Sequence, residues 1–181
     1  SLRAFARTKI PGADIEIGEY TINHQMDLIL QDIYRRKPDF IGFSCYIWNI
    51  SYIMEIVRDV KKVLPEAEIW LGGPEVSYDA KKVLTRELDV RGIMRGEGEL
   101  TFTELVRAYL QREKTSVPDG YTGESFRGQA KEKTSGCAEN TRMPENAEGE
   151  NAHSDRLDLS QIPGITYRAA NGEIEEHGPQ R

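Results

Sequence analysis

The segment Asp39–Asn49, DFIGFSCYIWN, contains the pattern on which the fold depends. Its first half is apolar on both faces of an extended chain, because Phe40, Ile41 and Phe43 are interrupted only by a glycine. Strands that are covered on both faces have this composition and are typical of parallel sheets. The second half changes to a small hydroxyl residue, a thiol and two aromatic rings. We therefore predict a parallel strand over Asp39–Cys45 that ends in a loop with unusual side chains.

A helix is predicted directly after this loop. Asn49 is a residue type that commonly caps helix N-termini, and Pro65 marks the end of the pattern. Apolar side chains recur between them at helical spacing, at Ile50, Ile53, Met54, Val57, Val60 and Leu64.

Strands and helices also alternate on both sides of this unit. Further strands are predicted at Asp14–Ile22, Glu68–Leu71 and Val90–Met94, with helices after the N-cap candidate Asn23, over Tyr78–Leu84 and over Leu100–Leu110. Such alternation predicts an α/β protein with a flavodoxin-like (Rossmann-like) doubly wound parallel sheet and right-handed crossovers. The first strand of such a unit is missing from this chain and is expected just before Ser1, ahead of a truncated helix.

The composition divides the chain into three parts. Residues 1–110 carry the α/β pattern, whereas residues 111–160 are charged and polar with few large apolar side chains. Such a segment buries too little apolar surface to offset its ordering entropy, so we expect a disordered insertion. Residues 161–181 contain Ala170-Asn171-Gly172 between two short apolar runs, which predicts a C-terminal β-hairpin.

Charge and cysteine content exclude several classes of function. With 30 acidic and 24 basic residues the net charge is -6, which disfavours nonspecific binding to nucleic acid. No apolar run approaches the ~20 residues of a membrane span. Cys45 and Cys137 lie far apart, so a disulfide framework or a cysteine metal site is not expected, and a cytoplasmic location fits best.

Ligands of open parallel sheets bind outside the carboxyl ends of the strands, and three loops there are unusual. Ser44 offers a hydroxyl, followed by Cys45, Tyr46 and Trp48. Gly72-Gly73-Pro74 leaves bare backbone, and Gly96-Glu97-Gly98 leads into the last helix. Each feature also has a purely structural explanation: a small residue at a strand end, rings packed on helices, a tight turn, or helix capping.

Other familiar sites are not present in the pattern. The chain has neither a phosphate-binding P-loop nor the G-x-G-x-x-G dinucleotide fingerprint, which argues against a nucleotide-binding enzyme of the Rossmann kind. His24 follows a predicted strand. Two explanations of this histidine remain open: it contacts a ligand, or it only occupies the first turn of the next helix. Cys45 has no reactive-thiol signature and is expected to be a small buried residue. We predict no catalytic residue and no metal ligand in this chain.

Taken together, GFSCYIWN, EIWLGGPEVS and VRGIMRGEGELTFTEL resemble the N-terminal cobalamin-binding (B12-binding) domain of B12-dependent radical SAM proteins. The segment IPGITYRAANGEI is similar to the connector that follows this domain in that family. The resemblance covers about residues 1–110 and 160–177 and omits the polar insertion. It implies a flavodoxin-like fold in which the nucleotide tail of cobalamin enters a slot at the strand ends.

The resemblance also implies roles for the unusual loops. Ser44 matches the serine that lines the tail pocket, and Gly72 and Gly73 match the paired glycines against which the tail packs. Gly96–Glu99 matches the loop beside the corrin edge. Tyr46 or Trp48 is a candidate for covering the lower face of the corrin, since the region of the family's Asp-x-His-x-x-Gly motif precedes Ser1.

The three-cysteine motif that holds the radical SAM [4Fe-4S] cluster is absent from the chain. The resemblance therefore implies a non-catalytic, cofactor-binding part of a larger enzyme. Methyl transfer or related radical chemistry would need S-adenosylmethionine and a radical SAM barrel elsewhere in the same polypeptide. A flavodoxin-like regulatory or interaction domain without cofactor is the alternative. A phosphorylated receiver domain is disfavoured, because its acidic cluster is not visible at the strand ends.

Overall fold

A computed structural model describes residues 2–115 and 158–178 of the chain, with side chains described to residue 112 in the first range. Within these ranges lie six helices, α1 (Leu2–Lys9), α2 (Met26–Arg36), α3 (Ile50–Val63), α4 (Pro74–Ser77), α5 (Ala80–Arg86) and α6 (Gly98–Thr115). The same ranges contain five strands, β1 (Phe40–Ser44), β2 (Glu68–Gly72), β3 (Gly92–Met94), β4 (Ile165–Arg168) and β5 (Ile174–Glu176).

The strands form one sheet in the order β1-β2-β3-β4-β5. The first three strands run parallel, whereas β4 and β5 are antiparallel additions beside β3. The predicted α/β class, the strand at Phe40–Ser44 and the C-terminal hairpin are thus confirmed. We call the side on which β1, β2 and β3 finish the carboxyl end of the sheet, and the opposite side the amino end.

Helices cover both faces of the sheet, as the doubly wound pattern predicts. Because side chains alternate along a strand, Ile69 and Leu71 point to one face and Trp70 points to the other. The first face packs on α2, α3, α4 and α5. The second face packs on α6, whose Leu105 and Tyr109 join Trp70 in a second buried cluster. Helix α1 packs on α6 through the buried Ala6 and Val106.

The prediction of a strand at Asp14–Ile22 is wrong. This segment forms no strand, although its alternation fits one. Ile15 is buried against α1 and α6, while Glu16 pairs with Arg36 of α2. Within the described residues the segment has no strand partner, and alternation alone does not make a strand. In the flavodoxin-like order 2-1-3-4-5, the second strand has only the first as its neighbour.

The helix that follows this segment begins later than predicted. Its N-cap is Gln25 rather than Asn23, and Gln25 makes no side-chain capping bond. Asn23 instead lies in the turn between Thr21 and His24, where its N–H donates to the Thr21 hydroxyl at 3.3 Å. This correction moves the helix start without changing its buried face, which contains Ile29 and Ile33.

The predicted polar insertion lies mostly outside the described residues, in 116–157. Helix α6 continues to Thr115, past the boundary expected at residue 110. On the far side, Leu159 and Ile162 are already buried in the second cluster. The division into residues 1–110, 111–160 and 161–181 otherwise stays a prediction.

Candidate functional site

The parallel register brings the ends of three strands together at the carboxyl end of the sheet. Ser44 lies beside Gly72, and Gly72 lies beside Met94. The loops β1–α3, β2–α4 and β3–α6 all begin here. The three unusual sequences are therefore adjacent in space, as the sequence predicts.

A strip of nearly bare backbone crosses this end of the sheet on the α6 face. Gly42, Ser44 and Gly72 share that face by the alternation of the strands and their register. A Cβ added at Gly42 would meet only the methyl of Met94, at 3.6 Å, and one at Gly72 would also meet Met94 at 3.6 Å. Gly42 and Ser44 are exposed. We call these three residues with the bordering Met94 the bare strip.

The hydroxyl of Ser44 is available to a ligand. The residue is exposed at the last position of β1, and its side chain has no hydrogen-bond partner among the described residues. Its carbonyl oxygen, by contrast, accepts a bond from Asn49 Nδ2 at 3.0 Å. The backbone of Ser44 is fixed while its side chain is free to bind.

Gly73 is needed by the protein's own packing. Its φ of 104° and ψ of 169° lie in a region that essentially only glycine occupies. A Cβ there would lie 2.4 Å from the carbonyl oxygen of Cys45. The β1–α3 loop therefore crosses directly over Gly73, and Pro74 begins α4 beside it. Of the two paired glycines, Gly72 faces the bare strip and Gly73 supports the loop.

Cys45 is fully buried, as the sequence predicts for a small thiol residue. Its side chain joins the cluster beneath α3 and α4, on the face opposite the bare strip. Burial raises the pKa of the thiol to about 12, so it stays protonated at neutral pH. A contact between Cys45 and a ligand in the bare strip would therefore involve its backbone.

Tyr46 and Trp48 form a stacked pair at the mouth of the site. Their ring centroids are 4.7 Å apart and their planes differ by 5°. Trp48 is 66% exposed and the intervening Ile47 is 76% exposed. The alternative that Trp48 packs on the helices is thus not what the structure shows. Exposed, flat and apolar, the pair suits one side of a large planar ligand.

The loop Gly96–Glu99 borders the site from the other side. Gly96 has a φ of 76° with open space around it, and α6 begins at Gly98. A Cβ at Gly98 would lie 3.2 Å from Leu2 of α1. Glu97 and Glu99 are exposed, and Glu99 lies in the first turn of α6, where a carboxylate is favourable.

His24 lies in the turn that precedes α2. Its Nδ1 accepts a bond from the Thr21 N–H at 2.9 Å, and its carbonyl accepts one from the Tyr52 hydroxyl at 2.6 Å. These contacts tie the turn to α3. They favour the structural explanation for His24 over a ligand contact.

Sequence reasoning missed three residues of this site. Gly42 interrupts the apolar run of the strand, but its spacing of two from Ser44 places both residues on one face. Met94 borders the strip because it is the register partner of Gly72. Asn49 has the sequence context of a helix cap, whereas its side chain bonds backward into the loop.

Two cavities lie at the amino end of the sheet, far from the unusual loops. Their volumes are about 320 and 360 Å³, and both are lined by Glu68 and Arg91. The charged groups shared by the two cavities are already paired, since Glu68 lies 3.2 Å from Arg91 and 3.3 Å from Arg112. We therefore place the candidate ligand site at the carboxyl end.

In residues 2–115 and 158–178, which the structure describes, no group of three or more His, Cys, Asp or Glu residues is placed to hold a metal ion. No helix in them is long and apolar enough to cross a membrane.

The structure is a doubly wound α/β domain with a candidate ligand site at the carboxyl ends of its parallel strands. The model of the B12 binding domain family matches residues 2–106, which is more than half of the chain. The chain therefore belongs to the B12 binding domain family, as the motifs predict.

Several curated proteins are similar to part of this chain. The cobalamin-dependent radical SAM methyltransferase TokK of Streptomyces tokunonensis is 32% identical over 84 residues, which cover 45% of this chain and 12% of TokK. The hopanoid C-3 methylase of Methylococcus capsulatus is 28% identical over 103 residues, 56% of this chain and 20% of that protein. The matched region thus spans a fifth or less of each of these relatives.

A solved structure supports the fold. The cobalamin-dependent S-adenosylmethionine radical enzyme OxsB, with aqua-cobalamin and S-adenosylmethionine bound, superposes with a TM-score of 0.65. The superposition covers 99% of this chain and 19% of OxsB at 17% sequence identity. At that identity the similarity concerns the fold.

Proposed function

We propose that this chain is the cobalamin-binding module of a longer B12-dependent radical SAM protein. Membership of the B12 binding domain family and the similarity to cobalamin-dependent methyltransferases support the proposal. The observation that carries it is the bare strip, an exposed area of backbone that ends beside an available hydroxyl. A long, flat and partly polar group needs such a surface and few hydrogen-bond donors.

The residues of the site fit parts of cobalamin. Gly42, Ser44 and Gly72 would hold the nucleotide tail, with the Ser44 hydroxyl as a hydrogen-bonding group. Tyr46 and Trp48 would lie against the flat corrin. The residues proposed to border the corrin edge or support the loops are Gly96, Glu97 and Gly98, together with Gly73, Pro74 and the backbone of Cys45.

The cofactor supplies a cobalt centre that can carry a methyl group, whereas the chain binds, orients and shields it. In the proposal, S-adenosylmethionine and the [4Fe-4S] cluster belong to a radical SAM barrel elsewhere in the polypeptide. This chain then has no catalytic residue of its own. We also propose a cytoplasmic location, which the uncombined thiol of Cys45 supports.

The direction of β5 indicates on which side a barrel that follows it in the polypeptide would lie. Strand β5 runs antiparallel to β4 and therefore toward the carboxyl end of the sheet. At its end Gly178 accepts a bond from the Gly164 N–H at 2.8 Å, and Glu176 pairs with Arg95 at the end of β3. Gly178 thus lies on the side of the proposed cofactor, where the proposed barrel would meet it.

We further propose that one more strand completes the sheet beside β1. Within the described residues β1 pairs only with β2, so its other backbone edge is open. The segment 14–22 is held by α2 through Glu16 and Arg36, and among the described residues it too has no strand partner. A parallel strand between them would give the flavodoxin-like order in which residues 1–110 form one domain.

Binding of hydroxocobalamin followed by desalting tests the function. The chain, extended at its N-terminus to include the proposed strand beside β1, should retain the red cofactor in an equimolar amount. Gly42→Leu should lose it, since the added side chain would project over the bare strip, where only Met94 lies near. Gly12→Leu is the matched control, because the space at Gly12 is also open but lies in a remote turn.

A colourless wild-type chain would contradict the proposal. If it bound a protein partner through the exposed Ile47 and Trp48 instead, the regulatory or interaction domain would be the better explanation. Equal retention by Gly42→Leu and the wild type would move the site away from the bare strip.

A further inference from the structure

Asn49 occupies the N-cap position of α3 but does not cap the helix. Its side chain makes no capping hydrogen bond to the first turn of α3. An asparagine at this position normally accepts a bond from the N–H of the second or third helical residue. Here the carboxamide points backward, toward the end of β1.

The carboxamide closes the β1–α3 loop with two hydrogen bonds. Oδ1 accepts from the Tyr46 N–H at 2.7 Å, and Nδ2 donates to the Ser44 carbonyl at 3.0 Å. The backbone adds a third bond, from the Asn49 N–H to the Tyr46 carbonyl at 3.0 Å. The two side-chain bonds require a donor and an acceptor on one short side chain, which aspartate, serine and threonine do not offer in this form.

The opposite side of the loop is anchored to the next strand. The Cys45 N–H donates to the Gly72 carbonyl at 2.7 Å, and the Cys45 carbonyl passes over Gly73. Beyond these anchors Ile47 and Trp48 are mostly exposed. Side-chain packing therefore holds the outer loop weakly. Its main constraints are the hydrogen bonds of Asn49 and the backbone bond from the Ile50 N–H to the Tyr46 carbonyl at 3.0 Å.

We propose that Asn49 is a positioning residue for the cofactor site: its carboxamide fixes the loop so that the Ser44 hydroxyl and the stacked rings of Tyr46 and Trp48 stand ready before a ligand arrives. The inference rests on the proposed function, since it assigns Asn49 a part in the same site. Holding the loop in its bound shape reduces the ordering entropy that binding must overcome. No contact between Asn49 and the cofactor is required.

The loop can be tested without cofactor by amide hydrogen exchange. In Asn49→Ala the Tyr46 amide loses its acceptor and should exchange at least about 10-fold faster. The Cys45 amide, which donates to Gly72, should keep most of its protection. In Asn49→Asp the acceptor for Tyr46 remains, so the Tyr46 amide should stay protected. Equal Tyr46 exchange in Asn49→Ala and the wild type would overturn the proposal.

Cobalamin affinity then separates positioning from folding. Loss of both side-chain bonds in Asn49→Ala should weaken hydroxocobalamin binding about 10- to 100-fold, with a smaller loss in Asn49→Asp. Asn171→Ala is the matched control. In the remote hairpin turn, Asn171 Oδ1 also accepts from a backbone N–H, that of Glu173, and its Nδ2 also donates, here to the Glu173 carboxylate. It should bind cobalamin as the wild type does.

The outcomes of this experiment distinguish the two proposals. A wild type that binds cobalamin while Asn49→Ala binds it equally well overturns the role of Asn49 and leaves the proposed function standing. A wild type that does not bind overturns the proposed function itself. Far-UV circular dichroism of each variant identifies a loss of binding that is due only to unfolding.

Discussion

The two ends of the parallel sheet carry side chains of different size. At the amino end, the Tyr109 hydroxyl accepts from Trp70 at 2.8 Å and donates to Glu68 at 2.6 Å. Phe40 stacks on Tyr109 with ring centroids 4.5 Å apart. At the carboxyl end β1 finishes at the available hydroxyl of Ser44 and β2 at Gly72, and the rings of Tyr46 and Trp48 are exposed to solvent. Large side chains with satisfied polar atoms fill one end, whereas the other end leaves space for a ligand.

The difference shows that one sheet separates stability from binding along its strands. Trp70 and Gly72 lie on the same strand and the same face, two residues apart. Trp70 packs against α6. The space over Gly72, nearer the carboxyl end of the sheet, is bordered within the described part of the chain only by Met94. Substitutions of the side chains that fill the amino end should therefore lower the free energy of unfolding, and substitutions of the exposed side chains at the carboxyl end should mainly affect cofactor binding.

The two tryptophans give the sharpest contrast. Trp70→Ala should lower the free energy of unfolding by about 3–5 kcal/mol, because it empties a fully buried site and leaves Tyr109 without its donor. Trp48→Ala should change it by less than about 1 kcal/mol, since the ring is exposed. Urea unfolding followed by circular dichroism measures both. Cobalamin affinity should fall in Trp48→Ala, and comparable destabilisation by the two changes would erase the contrast.

The glycines of the carboxyl end divide in the same way. Gly73→Ala should cost about 3 kcal/mol, because strain in this backbone region adds to the clash with the Cys45 carbonyl. Gly96→Ala, with a φ of 76° and open space, should cost only about 1–2 kcal/mol. Thermal and urea unfolding of the two variants provide the comparison. Equal costs would mean that the crossing of the loop over Gly73 is not as tight as described.

The third effect develops only at high pH and concerns the buried thiol of Cys45. Its pKa is raised from 9.0 to about 12 by burial, so the thiol stabilises the fold fully below about pH 9. As the pH rises from 9 toward 12 the unfolded chain loses this proton first, and stability falls by up to about 1.4 kcal/mol per pH unit. Urea unfolding between pH 8 and 11 should show a steeper decline for the wild type than for Cys45→Ala.

The tyrosines do not obscure this comparison. Burial also raises the pKa of Tyr20, Tyr109 and Tyr167, but all three remain in both proteins. The difference between the two slopes therefore reports the thiol. Parallel slopes would show that Cys45 titrates as an exposed thiol does.

Much of the fold follows from local patterns in the sequence. The strand at Phe40–Ser44 is recognisable because both of its faces are apolar, and α3 because its apolar residues recur at helical spacing. The segment Asp14–Ile22 has an equally good pattern and is not a strand. Pairing is a property of two segments, so the sequence of one segment cannot supply it.

The position of the candidate site follows from the sequence, but the structural role of each residue in it does not. Strand ends and glycines indicate where Ser44, Gly72 and Gly73 meet. Which glycine faces a ligand and which supports a loop depends on backbone angles and on the path of Cys45, which only coordinates reveal. Likewise Asn49 is a plausible cap from its sequence context, but its bonds to the loop depend on the chain's turn in space.

The path of α6 has a consequence for protein engineering. The helix begins at the carboxyl end and descends to the amino end, where Arg112 and Asp158 line the same cavity. Both residues therefore lie at the end of the sheet opposite Ser44. A fluorophore attached at the exposed Ser160, which lines the same cavity, would report on the domain from the end opposite the proposed cofactor site.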